Sequence, residues 1–148
     1  MAKAMKPSFA TALLARDTCL CMHVQRAARA LARRFDGALG PLGVTNGQFS
    51  LMMSLNRPKP PGMAVVASLL AMDRTTLTAA LKPLQRRGLV KVTVDSNDRR
   101  GRVMTLTAKG RSLLVRAVPV WQSTHAEVEA LLHDGDSNRL KKNLLEIS

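Results

Sequence analysis

Arg74, Thr75, Thr76, Thr78, Lys82 and Arg86 fall in one short segment of the chain. An arginine offers a fork of donors that matches guanine O6 and N7. A threonine hydroxyl hydrogen-bonds a base edge, and its methyl packs on a thymine methyl. A helix carrying these groups at its N-terminal end suits the major groove of duplex DNA, which admits one helix. The same residues also fit a solvated helix face, because charged helix faces are common. Downstream, Arg99, Arg100 and Arg102 crowd around Gly101. At the tip of a projecting turn, such arginines enter a narrow minor groove, where the potential is most negative. Asp98 is expected to hold one of their guanidinium groups. From Arg74 to Arg116 there are 11 Lys and Arg against two acids, Asp95 and Asp98. The positive charge is concentrated where a nucleic-acid face would be.

Other reactive residues are sparse. Cys19 and Cys21 lie two residues apart, and a disulfide across that spacing would be strained, so a reducing cytosol fits best. Cys19, Cys21 and His23 have metal-ligand chemistry. On one straight helix, however, i+2 points about 200° away from i, so the three do not converge and no metal is expected. The sequence has no Gly-rich phosphate loop, no HExxH and no nucleophile elbow. No enzyme and no cofactor is expected.

These residues need elements to position them. Leu20, Val24, Ala27, Leu31, Phe35, Ala38 and Leu42 form an apolar stripe, which predicts a long amphipathic helix over about 18–39, stopped by Gly40-Pro41. The stripe is long for so short a chain, and a second subunit would cover it. Thr45 caps a helix over about 46–56, broken by Pro58, Pro60, Pro61 and Gly62. A short helix over about 63–71 follows. After a turn at Met72-Asp73, Asp73 caps a helix over 74–87 that buries Leu77, Leu81 and Leu84; Pro83 should kink or weaken it. The period then changes: 89–94 and 102–107 read as two strands around a polar turn. Thr107 caps a helix to about Leu132, with a bend at Pro119. Residues 133–136 break it, and a last helix from Ser137 carries Leu140, Leu144, Leu145 and Ile147. The resulting division is 1–44 and 108–148 as dimerisation regions around a DNA-binding lobe at 45–107.

Composition narrows the partner. In 148 residues, 23 Lys and Arg face 10 Asp and Glu, giving +13 and a pI near 11.3. A field of this size draws polyanions. Only Phe9, Phe35, Phe49 and Trp121 are aromatic, which argues against single-strand binding by base stacking. The apolar run at 9–15 is short, contains Thr11 and ends at Arg16-Asp17, so no leader peptide is expected. No stretch approaches the roughly 18 apolar residues of a membrane span. A cytoplasmic, nucleoid-associated protein without a membrane partner is expected.

Residues 72–90 (MDRTTLTAALKPLQRRGLV), 95–102 and 106–110 (LTAKG) resemble the recognition helix, wing and wing exit of the MarR family. Residues 26–31, 41–45 and Gln48-Phe49 are similar to its first helix and the turn into the second. The resemblance covers about 18–132. It implies a mainly α fold with a small β-hairpin wing: a winged helix-turn-helix with N- and C-terminal dimerisation helices. It also implies an obligate homodimer, a palindromic duplex operator, and release by a small-molecule inducer or an oxidant. By position, Thr75, Thr76, Thr78 and Lys82 would face the major groove, and Arg100 would be the wing-tip arginine. Pro83 and Asn97 depart from the pattern.

For the signal, two readings stand side by side. Met52, Met53 and Trp121 are core residues by default; with Gln25 and Arg26 they would alternatively line a cleft for an apolar or aromatic acid, with Arg26 meeting its carboxylate. Alternatively, Cys21 would be oxidised, since it sits where the hydroperoxide-sensing branch of the family keeps its cysteine. That branch uses tyrosines to hold the thiolate, and this chain has none. Cys21 as a small apolar residue in a dimer core is the plainer reading of the same position. Beyond a transcriptional repressor, the charge also fits a non-specific architectural protein, and the cysteines leave room for a thiol- or metal-based enzyme.

Overall fold

The computed structural model describes residues 6–133 and 135–148. The order is α1 (Phe9–Thr18), α2 (Leu20–Leu39), a 3-10 turn (Gly40–Leu42), α3 (Asn46–Ser54), α4 (Met63–Leu69), α5 (Arg74–Arg86), β1 (Val90–Val94), β2 (Arg102–Leu106), α6 (Ala108–Glu129) and α7 (Ser137–Glu146). This is the mainly helical winged helix-turn-helix architecture expected from the sequence. No single helix among the described residues is long and apolar enough to cross a membrane.

Where boundaries differ, local chemistry explains why. The long helix expected over about 18–39 is α2, and a further helix, α1, precedes it. Cys19 adopts an extended conformation (φ −70°, ψ 106°), ending α1 and standing before α2. The apolar run at 9–15, read only as a failed leader, belongs to α1, which Ser8 caps by accepting from the Thr11 amide. Residues 1–5 of that N-terminal segment lie outside the described residues. The turn after α2 closes on Gly43, whose left-handed φ of 69° glycine adopts without penalty. Thr45 and Gln48 then form a reciprocal capping box on α3. Both internal prolines are accommodated: α5 runs through Pro83 to Arg86, and α6 runs through Pro119 to Glu129. The latter stops short of the expected Leu132.

The core lies where α2, α3, α5, α6 and the hairpin meet. Leu39, Met52, Val66, Leu77, Leu84 and Met104 are fully buried there. β1 and β2 pair antiparallel, with Val90 opposite Leu106 and Val92 opposite Met104. A single bridge from Gly62 to Val103, beside a bond from the Met104 amide to the Pro61 carbonyl (3.1 Å), ties the proline-rich loop to β2. α1 and α7 contain no buried residue. α7 is held to α6 through Glu129, which accepts from the Ser137 hydroxyl and from Lys141 Nζ (3.3 Å).

Candidate nucleic-acid interface

α4 and α5 meet at 101° across the four residues Leu70 to Asp73. That angle is within the range of helix-turn-helix pairs, and it leaves one face of the second helix open to solvent while the other is buried. Ala71 makes the turn with a φ of 50°, a conformation non-glycine residues seldom adopt. Leu77, Leu81 and Leu84 anchor α5 from one side. On the opposite side Arg74, Thr75, Thr78, Ala79 and Lys82 line one shallow groove.

Hydrogen bonds refine what these groups have left to offer. Asp73 Oδ1 accepts from the Thr76 amide (2.8 Å), and Thr76 Oγ1 donates to Asp73 Oδ2 (2.7 Å). Thr78 Oγ1 donates back to the Arg74 carbonyl (2.8 Å). The hydroxyl protons of Thr76 and Thr78 are thus committed, leaving their lone pairs and methyls for a base edge. The Thr76 amide is likewise taken by Asp73 and is not free for a phosphate.

The two Thr76 donors, amide first and hydroxyl second, hold the Asp73 carboxyl below its ordinary value of 3.8. A depressed folded-state value means the cap is fully present above the unfolded value and is lost as pH falls through the folded one. Asp73→Ala is expected to lower the melting temperature at pH 7 by about 2–4 °C. The gap from the native protein should narrow in melts taken progressively below pH 3.8, the ordinary value. A gap that persists there would show that the charge on Asp73 does not carry the cap.

The hairpin tip is built from its own acids. Asp95 Oδ1 accepts from the Asn97 amide and Asp98 Oδ1 from the Arg100 amide, both at 2.9 Å. The Gly101 amide donates to the Asp98 carbonyl (2.8 Å). Asp98 therefore holds loop backbone rather than a guanidinium, because the tight turn brings the Arg100 amide to it first. Arg102 also differs from expectation. Its Nη1 donates to the carbonyls of Gly101 (3.0 Å) and Arg99 (3.4 Å), bracing the tip. Arg99 and Arg100 are exposed at the turn, and Arg86 is exposed on the last turn of α5. Ion pairs within 4.0 Å among the described residues lie on α1, α6 and α7, and none involves α5 or the hairpin.

The five residues expected to share a ligand cleft do not come together. Met52 is fully buried in the core, and Trp121 packs on Phe49 (centroids 5.9 Å) and His125 (5.1 Å). Gln25 and Arg26 lie on a separate surface groove near the α1–α2 break. Met53 lines a cleft beside α6 with Asn56, Arg111, Leu114, Val115 and Val118. Met52 and Met53 are neighbours in sequence, and sequence does not reveal which of the two faces the core. Arg111 was missed. Its Nη1 donates to the Leu106 carbonyl (2.8 Å), and its only sequence signal was its place directly after the 106–110 segment. Cys21 is exposed, and Gln25 Nε2 donates to its Sγ (3.1 Å).

Comparison with known proteins follows the same geometry. A family model described as MarR family matches residues 44–101. The transcriptional regulator MOSR of M. tuberculosis, solved in complex with DNA, is 38% identical. That match covers 87% of this chain and 92% of that one, with a TM-score of 0.79. CouR of Rhodococcus jostii RHA1, a transcriptional repressor solved on a 23-mer DNA duplex, is 29% identical over 86% of this chain and 91% of its own, with a TM-score of 0.76. The transcriptional activatory protein BadR of Rhodopseudomonas palustris is 36% identical over 58% of this chain and 51% of its own length. The chain spans about half the length of BadR, and a similar share of another curated relative it matches.

Proposed function

The chain belongs to the MarR family, and we propose that it is a homodimeric, sequence-specific regulator of transcription that represses from a palindromic duplex operator. The observation that carries this reading is the exposed basic face of α5 beside the exposed hairpin tip. The α5 groove offers Arg74, Thr75, Thr78 and Lys82, and the tip offers Arg99 and Arg100. None of these cations has a carboxylate within 4.0 Å among the described residues. Unpaired cations on an exposed helix face and loop are what phosphate neutralisation and groove reading require.

A second subunit accounts for the apolar surface. Leu14, Leu20, Leu131, Leu145 and Ile147 are each at least 60% exposed on the N- and C-terminal helices and their flanks. In water such surface favours association. The test of the DNA reading is a shift assay on duplex from beside the gene, with and without excess random competitor. A complex that survives the competitor supports it. Equal loss on every duplex favours the architectural alternative.

The inducer reading moves to the cleft that contains Met53. Its walls are apolar and its volume is about 360 Å³. Arg111 supplies one cation, so an apolar or aromatic carboxylate fits, held by Arg111 rather than Arg26. The cleft lies between α3 and α6, so a wedge there would move the winged lobe against the dimer helices. A second reading rests on the exposed Cys21 thiol and its Gln25 donor. Cys21→Ser is expected to keep both operator binding and release by an aromatic carboxylate. Peroxide release that vanishes in this variant would establish the thiol reading instead.

A further inference from the structure

A different groove, on another side of α6, lies between the end of α5, the start of β1 and the first turns of α6. It holds about 400 Å³. Leu42, Leu89 and Leu113 form its floor, while Arg87, Lys109 and Arg116 stand around it. Lys109 and Arg116 are two turns apart on one face of α6. Arg111, Leu114 and Val118, which line the inducer cleft, lie on another face.

The three cations come from separate places in the chain but converge without a counter-charge. No carboxylate lines the groove, and none lies within 4.0 Å of these cations among the described residues. Arg87 is half-buried, and its guanidinium packs beside Gly43, where a Cβ would lie 3.4 Å from Nη2. Lys109 Nζ donates to the Arg87 carbonyl (2.9 Å), which fixes an ammonium beside the arginine's own backbone. Lys109 and Arg116 are exposed beside the half-buried Arg87, and like charges gathered this closely attract an anion that neutralises them. Arginine forks match phosphate oxygens bidentately, and an ammonium adds a point charge.

We propose that this groove is an oxyanion site that takes the phosphate of a small phosphorylated molecule, whose apolar part rests on Leu42, Leu89 and Leu113. Arg87 is the C-cap of α5, and Lys109 and Arg116 belong to α6. A bound phosphate therefore ties the end of α5 to α6. The same chemistry is offered by a phosphate of the DNA backbone, and the experiment separates the two sources.

The full chain and Arg87→Gln/Arg116→Gln are melted in inorganic phosphate, in pyrophosphate and in chloride at equal ionic strength. In parallel, their operator affinity is measured across salt concentrations. The native protein is expected to gain about 3 °C more than the double variant at ten times the dissociation constant of the anion. Nitrogen NMR should show the Arg87 Nε resonance moving with phosphate and not with chloride. Those results with an unchanged salt slope identify a free phosphorylated ligand. No response to free phosphate, but a slope of log affinity against log salt smaller by about 0.9 per lost contact, identifies a DNA phosphate as the occupant. If native and variant respond alike in both arms, the groove is not an oxyanion site.

Discussion

Gly110→Ala is expected to destabilise the protein by about 3 kcal/mol, lowering the melting temperature by about 6–12 °C. A Cβ built at Gly110 would stand 2.2 Å from the Leu89 carbonyl oxygen and 3.1 Å from its carbon. These are backbone atoms and cannot swing aside as a side chain would. The Leu89 carbonyl is also committed, accepting from the Thr107 amide (3.0 Å) and the Thr107 hydroxyl (3.2 Å). Thr107 in turn caps α6 by accepting from the Gly110 amide (3.0 Å). One glycine thus lets α6 start directly against the base of the hairpin. The added methyl must push the hairpin away from α6 or break the cap. Gly37→Ala is the control: nothing lies within 4 Å of its Cβ position, inside α2. Alanine there should cost nothing and can stabilise by up to about 1 kcal/mol. Urea or thermal melts of the two variants decide the point. A Gly110→Ala protein that melts like the native chain would mean the hairpin is not seated on α6 as described.

The second large effect concerns DNA. Lys82→Ala and Arg100→Ala are each expected to weaken specific binding by about 1–3 kcal/mol, or roughly 5- to 150-fold. They should differ in what they change. Lys82 lies in the α5 groove with Thr75 and Thr78, so its loss should relax preference at the centre of each half-site. Arg100 stands at the hairpin tip, so its loss should weaken binding with a smaller loss of A·T preference at the flanks. Arg102→Ala should act through the loop instead, because its guanidinium braces the tip carbonyls. Titration of a fixed operator and of its point variants separates these outcomes. Equal small losses on every duplex would mean the two residues contribute only general charge.

The helix-turn-helix and hairpin were legible in the sequence because local signals agree. Asp73 as a cap, three leucines on one face of α5, and the change from helical to alternating period all point to one arrangement. Thr45 with Gln48 is legible for the same reason. The long helix beginning near residue 18 was legible from its stripe, but α1 was not: its apolar run at 9–15 is short and has no buried residue to mark a face. The Asp98 contact was misassigned because sequence shows a carboxylate near guanidinium groups but not that backbone amides reach it first. The ligand cleft was the least legible feature. Met52 and Met53 are adjacent in sequence, yet one is fully buried and the other lines a surface cleft. That outcome depends on where α6 crosses α3. Arg111 and Gly110 have roles only in three dimensions, through the Leu106 and Leu89 carbonyls.

Selection of duplexes from a random pool by the full-length chain, with the recovered sites then read base by base, tests the central claim most directly. The account predicts a pseudo-palindrome whose half-sites are about 10 bp apart, matching two copies of α5 presented by a two-fold dimer. A-T-rich positions should flank the half-sites where the hairpin tips enter the minor groove. Recovered duplexes with no common site, or with a single unpaired half-site bound by one chain, would contradict it.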